Sequence, residues 1–291
     1  MSTTPFTLDR TDQWTLRANP ADEYRIHIAW PEEPPPPGGF PLVILLDGDA
    51  SFATLVETLR RTCRRTEATN VAPAVLVGVG YPDVRQYDFE RRTFDYTFGP
   101  PAHRAPADKQ RSGGGEAFLD FLDGVLIPRV AAAFPIAPDR RALFGHSLGG
   151  LFVINACLRR PSLVRTWLSV SPSLWWDKAA VLRSIEERPQ ALSGARRPTL
   201  LVTVGEYEEA VAPWQMGEAG PGAALTRRLS RGMVSNAREV SNRIAAAASD
   251  YVSVQFECLA QEDHASVLTV SIGRGLRLAT GGNFFAKKEK C

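Results

Sequence analysis

Gly145-His146-Ser147-Leu148-Gly149-Gly150 carries a serine between glycines in the pattern G-x-S-x-G, with a third glycine behind it. A serine hydroxyl is a weak nucleophile until a base takes its proton and a turn presents it. The flanks give that turn its context. Arg141-Ala142-Leu143-Phe144 is short and apolar enough for a strand, and residues 151–158 are apolar and free of breakers, as a buried helix requires. Strand, tight glycine turn and helix together predict a nucleophile elbow. In such a turn Ser147 takes a strained backbone position, and side chains at the flanking glycines would collide with neighbouring backbone. The helix N-terminus then aims the Leu148 N–H and the helix dipole at an oxyanion developing beside Ser147.

An elbow serine needs a base, and the chain has four histidines. His146 lies within the turn itself, with its side chain expected to point away from the nucleophile. His27 is on an upstream strand and His103 in an upstream Pro-rich loop. His264 follows the last strand, where the chain order serine, acid, histidine puts the base. The acid belongs after the strand between Ser147 and His264. That strand ends in Gly205-Glu206-Tyr207-Glu208-Glu209. Glu208, three past the glycine, has the reach to accept Nδ1–H of His264. Glu206 is the alternative, and a backbone carbonyl orienting His264 is a third arrangement. A second oxyanion donor is expected from the loop after residues 42–46, where Gly48 would let the chain turn and expose the Asp49 N–H; Asp47 instead reads as a residue holding that turn. This chemistry calls for no metal and no cofactor, and no H-x-H or H-E-x-x-H spacing occurs.

The elements that must position these groups fit an ordinary globular enzyme. The chain has 291 residues, 44% hydrophobic and 23% charged, with a net charge of +2 and both signs interspersed. That excludes a nucleic-acid footprint and a polybasic membrane patch. No apolar run reaches membrane-spanning length, and the first twenty residues carry Asp9, Arg10, Asp12 and Arg17 rather than a signal-peptide core. Cys63, Cys157, Cys258 and Cys291 show no ligand spacing. Cys157 and Cys258 fall in apolar runs and are expected to be packed thiols, and a cytoplasmic protein is expected. Nothing in the sequence specifies an oligomeric state.

Residues 24–30 alternate, with Tyr24, Ile26, Ile28 and Trp30 on one face and Arg25 and His27 on the other. This predicts a half-buried strand near a sheet edge, His27 on its wet side, with residues 14–17 pairing as an earlier strand. Residues 42–46, 75–80, 165–170 and 200–204 are continuous apolar runs, as in strands covered on both faces. Helical patterns over 52–65, 118–134, 177–187, 235–249 and 266–278 separate or follow them, with Pro128 expected to bend or interrupt its helix. Residues 252–258 alternate as a last strand. Residues 81–115 and 210–232 show no periodicity and are expected to be irregular. The pattern predicts one α/β domain over residues 1–291, a mostly parallel sheet with helices on both faces.

Several pieces resemble the esterase-D-like branch of the α/β hydrolases, and within it the siderophore (trilactone) esterases. They are Leu45-Leu46-Asp47-Gly48-Asp49-Ala50-Ser51-Phe52, Arg92-Thr93-Phe94-Asp95-Tyr96-Thr97, the serine motif, Ser171-Pro172-Ser173-Leu174-Trp175-Trp176, Gly205-Glu206-Tyr207-Glu208 and Glu262-Asp263-His264-Ala265-Ser266-Val267. The resemblance implies an α/β-hydrolase fold, Ser147 as nucleophile and His264 as base. It favours Glu208 as acid, because related esterases place a carboxylate three after this glycine. It also implies that the Arg92 region faces the substrate, where a guanidinium could contact carbonyl or catecholate oxygens; pairing of Arg92 with Asp95 or another loop acid is the alternative. Trp175 is expected either to line the cleft or to sit in the core.

The reading is a serine esterase that cleaves a carboxylic ester or lactone through an acyl-enzyme. The substrate implied by the resemblance is a siderophore, free or as its ferric complex. Related activities on formylglutathione, feruloyl or acetyl esters, and acyl transfer, use the same residues. A non-catalytic binding protein on this scaffold would need neither Ser147 nor His264. Residues 100–115 and 210–232 are expected to shape the pockets.

Overall fold

The computed structural model describes residues 3–4, 6–19, 22–82, 86–101, 111–187, 197–215 and 222–281. Its centre is an eight-stranded sheet in the order β1-β2-β4-β3-β5-β6-β7-β8. The strands are β1 Thr11–Arg17, β2 Glu23–Ala29, β3 Phe40–Leu46, β4 Val75–Gly80, β5 Ile136–His146, β6 Thr166–Val170, β7 Thr199–Gly205 and β8 Ser253–Leu259. Only the β1–β2 and β2–β4 pairings are antiparallel; all others are parallel. Every residue of β3, β4 and β6 is buried, which is why these segments read as unbroken apolar runs.

The helices are α1 Gly48–Cys63, α2 Thr66–Thr69, α3 Phe89–Asp95, α4 Gly115–Phe121, α5 Ile127–Ala133, α6 Leu148–Arg159, α7 Lys178–Glu186, α8 Gly222–Arg231, α9 Met233–Ala247 and α10 Ser266–Thr280. Strand alternation splits the core into two layers. Leu42, Ile44 and Leu46 of β3 join Phe152 and Ile154 of α6, Val181 of α7 and Ile244 of α9 on one face. Val43 and Leu45 join Leu55 of α1 and Ile272 and Leu276 of α10 on the other. Among the described residues, no helix is long and apolar enough to cross a membrane.

Three local expectations need correction, and a fourth is met. The α-helix is interrupted next to Pro128: a π-helical segment, Leu122–Leu126, joins α4 to α5, and the Ile127 N–H donates to the Leu122 carbonyl. The widened turn comes just before the proline, which cannot donate to the ladder. Residues 81–115 contain α3, whose first turn is capped by the Asp88 carboxylate accepting from the Arg91 N–H at 2.9 Å. Residues 210–232 contain α8. His103, with most of residues 100–115, and residues 216–221 lie outside the described residues. Finally, α1 begins at Gly48 rather than near residue 52. The residue with positive φ there is Asp47 (φ 53°), and Gly48 is needed because a Cβ would stand 2.6 Å from the Gly78 backbone.

Candidate active site

Ser147 joins β5 to α6 at φ 59° and ψ −117°, a conformation that costs a non-glycine residue on the order of 1–3 kcal/mol. Two crowded neighbours enforce it. A Cβ on Gly145 would lie 2.3 Å from the Gly149 carbonyl oxygen, and one on Gly150 2.7 Å from that of Val170. Gly149 is different: a Cβ there would meet only ordinary contacts, at 3.6 Å from Leu46. The Ser147 N–H donates to the Val170 carbonyl at 2.9 Å, tying the turn to β6. The hydroxyl thus stands at the N-terminus of α6, whose first residue is Leu148.

His264 lies between β8 and α10. Its loop is held by Asp263, whose carboxylate accepts from the N–H groups of Ala265 and Ser266 at 2.8 and 2.9 Å. Asp263 N–H in turn donates to Ser266 Oγ at 3.0 Å. The amide hydrogen bond from Ser266 leads the causes that lower the Asp263 pKa. The structure brings His264 Nε2 to 3.2 Å from Ser147 Oγ and His264 Nδ1 to 2.7 Å from Glu208 Oε2.

The three glutamates after β7 have separate tasks. A 3-10 turn, Glu206–Glu208, directs Glu208 inward, where it is only 3% exposed. Besides His264, its carboxylate accepts from Gly205 N–H at 2.7 Å and from the Ser171 hydroxyl. Glu206 accepts from Gln261 N–H at 2.8 Å, bracing the loop of His264 rather than its ring. Glu209 accepts from Ser235 N–H and its hydroxyl, both at 2.9 Å. Buried carboxylate, imidazole and hydroxyl in line form a relay that withdraws a proton from a serine.

His146 makes no hydrogen bond to the Ser147 hydroxyl, but it does reach the loop of the base. Its Nε2 lies 2.7 Å from the His264 carbonyl, and the two rings are tilted at 41° to each other with centroids 4.6 Å apart. Burial, then the neighbouring His264, pulls the His146 pKa down to about 3. Neutral, and facing a carbonyl that can only accept, it carries its proton on Nε2. Sequence offered no signal for this, because the contact depends on how a distant loop returns to the turn.

The residues of the β3–α1 junction divide by position. Asp49 sits in the first turn of α1, whose N–H groups have no intrahelical acceptors. Its carboxylate faces the other way, accepting from Arg25 Nη1 at 2.8 Å, His27 Nε2 at 2.9 Å and Tyr81 N–H at 2.8 Å. Burial alone would raise the Asp49 pKa, but these hydrogen bonds lower it. On its face of β2, His27 is a hydrogen-bond partner of Asp49 and is stacked on Phe52. Asp47 is 5% exposed and takes two hydrogen bonds from Arg92, from Nε at 3.0 Å and Nη2 at 2.7 Å.

Arg92 consequently does not face the cleft. It is 6% exposed, its guanidinium is occupied by Asp47, and it lies against the rings of Tyr87 and Tyr96. The pairing is with a loop acid, but with Asp47 rather than Asp95. Trp175 does reach the cleft at 36% exposure, while Trp176 is the core residue at 6%. The cavity beside Ser147 has a volume of about 330 Å³ and is lined by Trp175, Tyr207, Gln215, Arg228, Arg231 and Met233 among others. The Arg231 guanidinium lies 5.0 Å from the Trp175 ring centroid, and Arg228 donates to Gln215 Oε1 at 2.6 Å. Neither cationic residue was singled out from sequence, since residues 210–232 carry no periodic signal.

Comparison with known proteins places this chain among ester-cleaving enzymes. The sequence profile of the Esterase family matches residues 18–258. The chain is 33% identical over 262 residues to the ferri-bacillibactin esterase BesA of Bacillus subtilis, covering 88% of this chain and 84% of that one. It is 31% identical over 289 residues to the siderophore triacetylfusarinine C esterase of Aspergillus fumigatus, covering 94% of each. Among solved structures, the BES protein from Bacillus cereus aligns with a TM-score of 0.83 at 30% identity, over 97% of this chain and 99% of that one.

Proposed function

This chain is an ester hydrolase that belongs to the Esterase family, and we propose that it opens the backbone esters of a siderophore through an acyl-enzyme on Ser147. The observation that carries the mechanism is the relay Glu208–His264–Ser147, with contacts of 2.7 and 3.2 Å ending on an elbow serine. Glu208 accepts Nδ1–H and so leaves Nε2 of His264 as a lone pair facing the Ser147 hydroxyl.

As Ser147 Oγ bonds to the ester carbonyl carbon, its proton passes to Nε2 and the carbonyl electron pair moves to oxygen. The Leu148 N–H at the start of α6 and the Asp49 N–H in the first turn of α1 are the donors we assign to that oxyanion. A Cβ on Gly149 would lie 3.7 Å from Asp47 Oδ2, so the β3–α1 junction abuts the start of α6. His264 then protonates the leaving alkoxide, and a water activated by the same nitrogen releases the acid.

The substrate assignment rests on the relatives named for ferri-bacillibactin and triacetylfusarinine C, together with the cavity wall. Trp175 and Tyr207 offer flat aromatic faces, and Arg228 and Arg231 offer donors for the carbonyl or catecholate oxygens of such a ligand. Cys63, Cys157 and Cys258 are free thiols, which suits a reducing compartment, and we assign the reaction to the cytoplasm.

The test is hydrolysis of a catecholate trilactone and its linear esters, with and without Fe(III), by the native protein and Ser147→Ala, followed by chromatography of the products. Serine-dependent opening of the lactone, faster than turnover of p-nitrophenyl esters, is expected. Turnover of simple esters alone would overturn the substrate and keep the mechanism. Equal activity of Ser147→Ala would overturn the mechanism.

A further inference from the structure

The Ser-Pro-Ser segment after β6 touches both ends of the relay. Ser171, fully buried at φ 45°, donates its hydroxyl to Glu208. Two residues on, Ser173 is 2% exposed, its N–H donates to the Ser147 carbonyl at 3.1 Å, and its Oγ lies 3.1 Å from Ser147 Oγ. Pro172 between them fixes one backbone angle and so the spacing of the two hydroxyls.

Proton accounting gives the direction of the Ser173 contact. Glu208 accepts from Nδ1 of His264, so a neutral imidazole can only accept at Nε2. Ser147 has one proton, and that proton faces Nε2. At the 3.1 Å contact the remaining donor is Ser173, whose hydroxyl has no other hydrogen-bond acceptor among the described residues. A buried hydroxyl left without an acceptor would be costly, which favours the same direction.

We infer that Ser173 is a catalytic hydroxyl: it donates to Ser147 Oγ, holds the nucleophile in the rotamer aimed at His264, and offsets negative charge on that oxygen. The charge arises twice. In acylation the Oγ–carbon bond forms as the Oγ proton leaves for His264. In deacylation that bond breaks, Oγ keeps the electron pair, and His264 returns the proton. Ser173 keeps its own proton throughout. This rests on the reading of Ser147 as nucleophile and adds a fourth side chain to it.

The experiment measures fluorophosphonate labelling and ester turnover between pH 5 and 9 for the native protein and for Ser173→Ala, Ser173→Thr, Ser173→Val and Ser147→Ala. Ser173→Ala is expected to lower the labelling rate and kcat about tenfold, with KM within about twofold and the pH midpoint of labelling unmoved. Thr and Val have nearly the same shape and differ by the hydroxyl, so Thr should stay within a few-fold of native while Val falls with Ala. That pair decides the matter even if Ser173→Ala folds poorly. Faster labelling of Ser173→Ala would make Ser173 a competitor for the Ser147 proton and overturn the inference, as would equal rates for Thr and Val. Failure of the native protein to label, or labelling that survives Ser147→Ala, would sink the nucleophile reading instead.

Discussion

The His146 Nε2–H donates to the backbone carbonyl of His264 at 2.7 Å, so the residue before the nucleophile holds the loop that carries the base. His146 is a positioning residue: it touches no reacting atom, yet it fixes how far the imidazole stands from Ser147. Replacing it with Leu should lower kcat about tenfold, the value of one lost hydrogen bond expressed in the transition state. His146→Gln, which keeps a donor, should lose less. Its pKa also makes a signed claim about stability. The unfolded chain takes up this proton near pH 6.5, whereas the folded chain holds it off to about 3. The contribution is therefore complete above pH 6.5 and lost as pH falls, by at most about 2 kcal/mol between pH 7 and pH 5. Urea unfolding at those two pH values should show a smaller loss for His146→Leu than for the native protein.

Glu208→Gln tests the acid with little change in volume. The amide can still accept through its oxygen, but it removes the charge that stabilises the imidazolium and can present N–H₂ where His264 Nδ1–H needs an acceptor. kcat should fall at least about 100-fold, with KM little changed. Glu206→Gln keeps an oxygen that can accept from Gln261 N–H and should stay within a few-fold of native. Steady-state kinetics on one chromogenic ester separates the two, and equal losses would contradict a dedicated role for Glu208.

What could be read in the chain and what could not divide along physical lines. Strands β3, β4, β6 and β7 are buried on both faces, so composition alone marks them. Ser147 and His264 stand out because a glycine-flanked turn and a histidine after the last strand are each tied to a place in the chain order. The three carboxylates at 206, 208 and 209 are chemically alike, and only the 3-10 turn separates the one that points inward. Asp47 and Arg92 are 45 residues apart, and their pairing depends on where α3 packs. Helix α3 was missed because it is seven residues long, with an exposed Phe89 and buried Arg92 and Asp95 that invert the usual pattern. The interruption next to Pro128 takes the form of a π-helical turn, which leaves no mark in hydrophobic spacing.

The Asp47–Arg92 pair predicts a stability phenotype where a substrate contact would predict a binding one. Both side chains are more than nine-tenths buried. Burial alone would lower the Arg92 pKa, but the charge and hydrogen bonds of Asp47 raise it. Arg92→Ala leaves the Asp47 carboxylate buried and uncompensated, at a cost of about 3–5 kcal/mol. Because Asp47 is the left-handed residue leading into α1, the loosened junction should also lower kcat. Denaturant unfolding should show the lost stability; a variant of native stability with KM alone raised would return Arg92 to the substrate.

Asp95 runs opposite to His146 in its pH dependence. Its carboxyl is 3% exposed and accepts from the Tyr24 hydroxyl at 3.1 Å. Burial pushes its pKa up to about 6, with the Arg91 charge only partly offsetting that. The unfolded chain releases this proton near pH 4, so the folded state holds it over a window of about two pH units. Stability from this group is complete below pH 4 and lost as pH rises through 6, by at most about 3 kcal/mol. Asp95→Asn is neutral at every pH and keeps an acceptor for Tyr24. It should match the native protein near pH 4 and exceed it by about 1–3 kcal/mol at pH 7.5. Parallel stability curves for the two proteins across that range would mean that Asp95 is already ionised in the fold, with Arg91 and Tyr24 outweighing its burial.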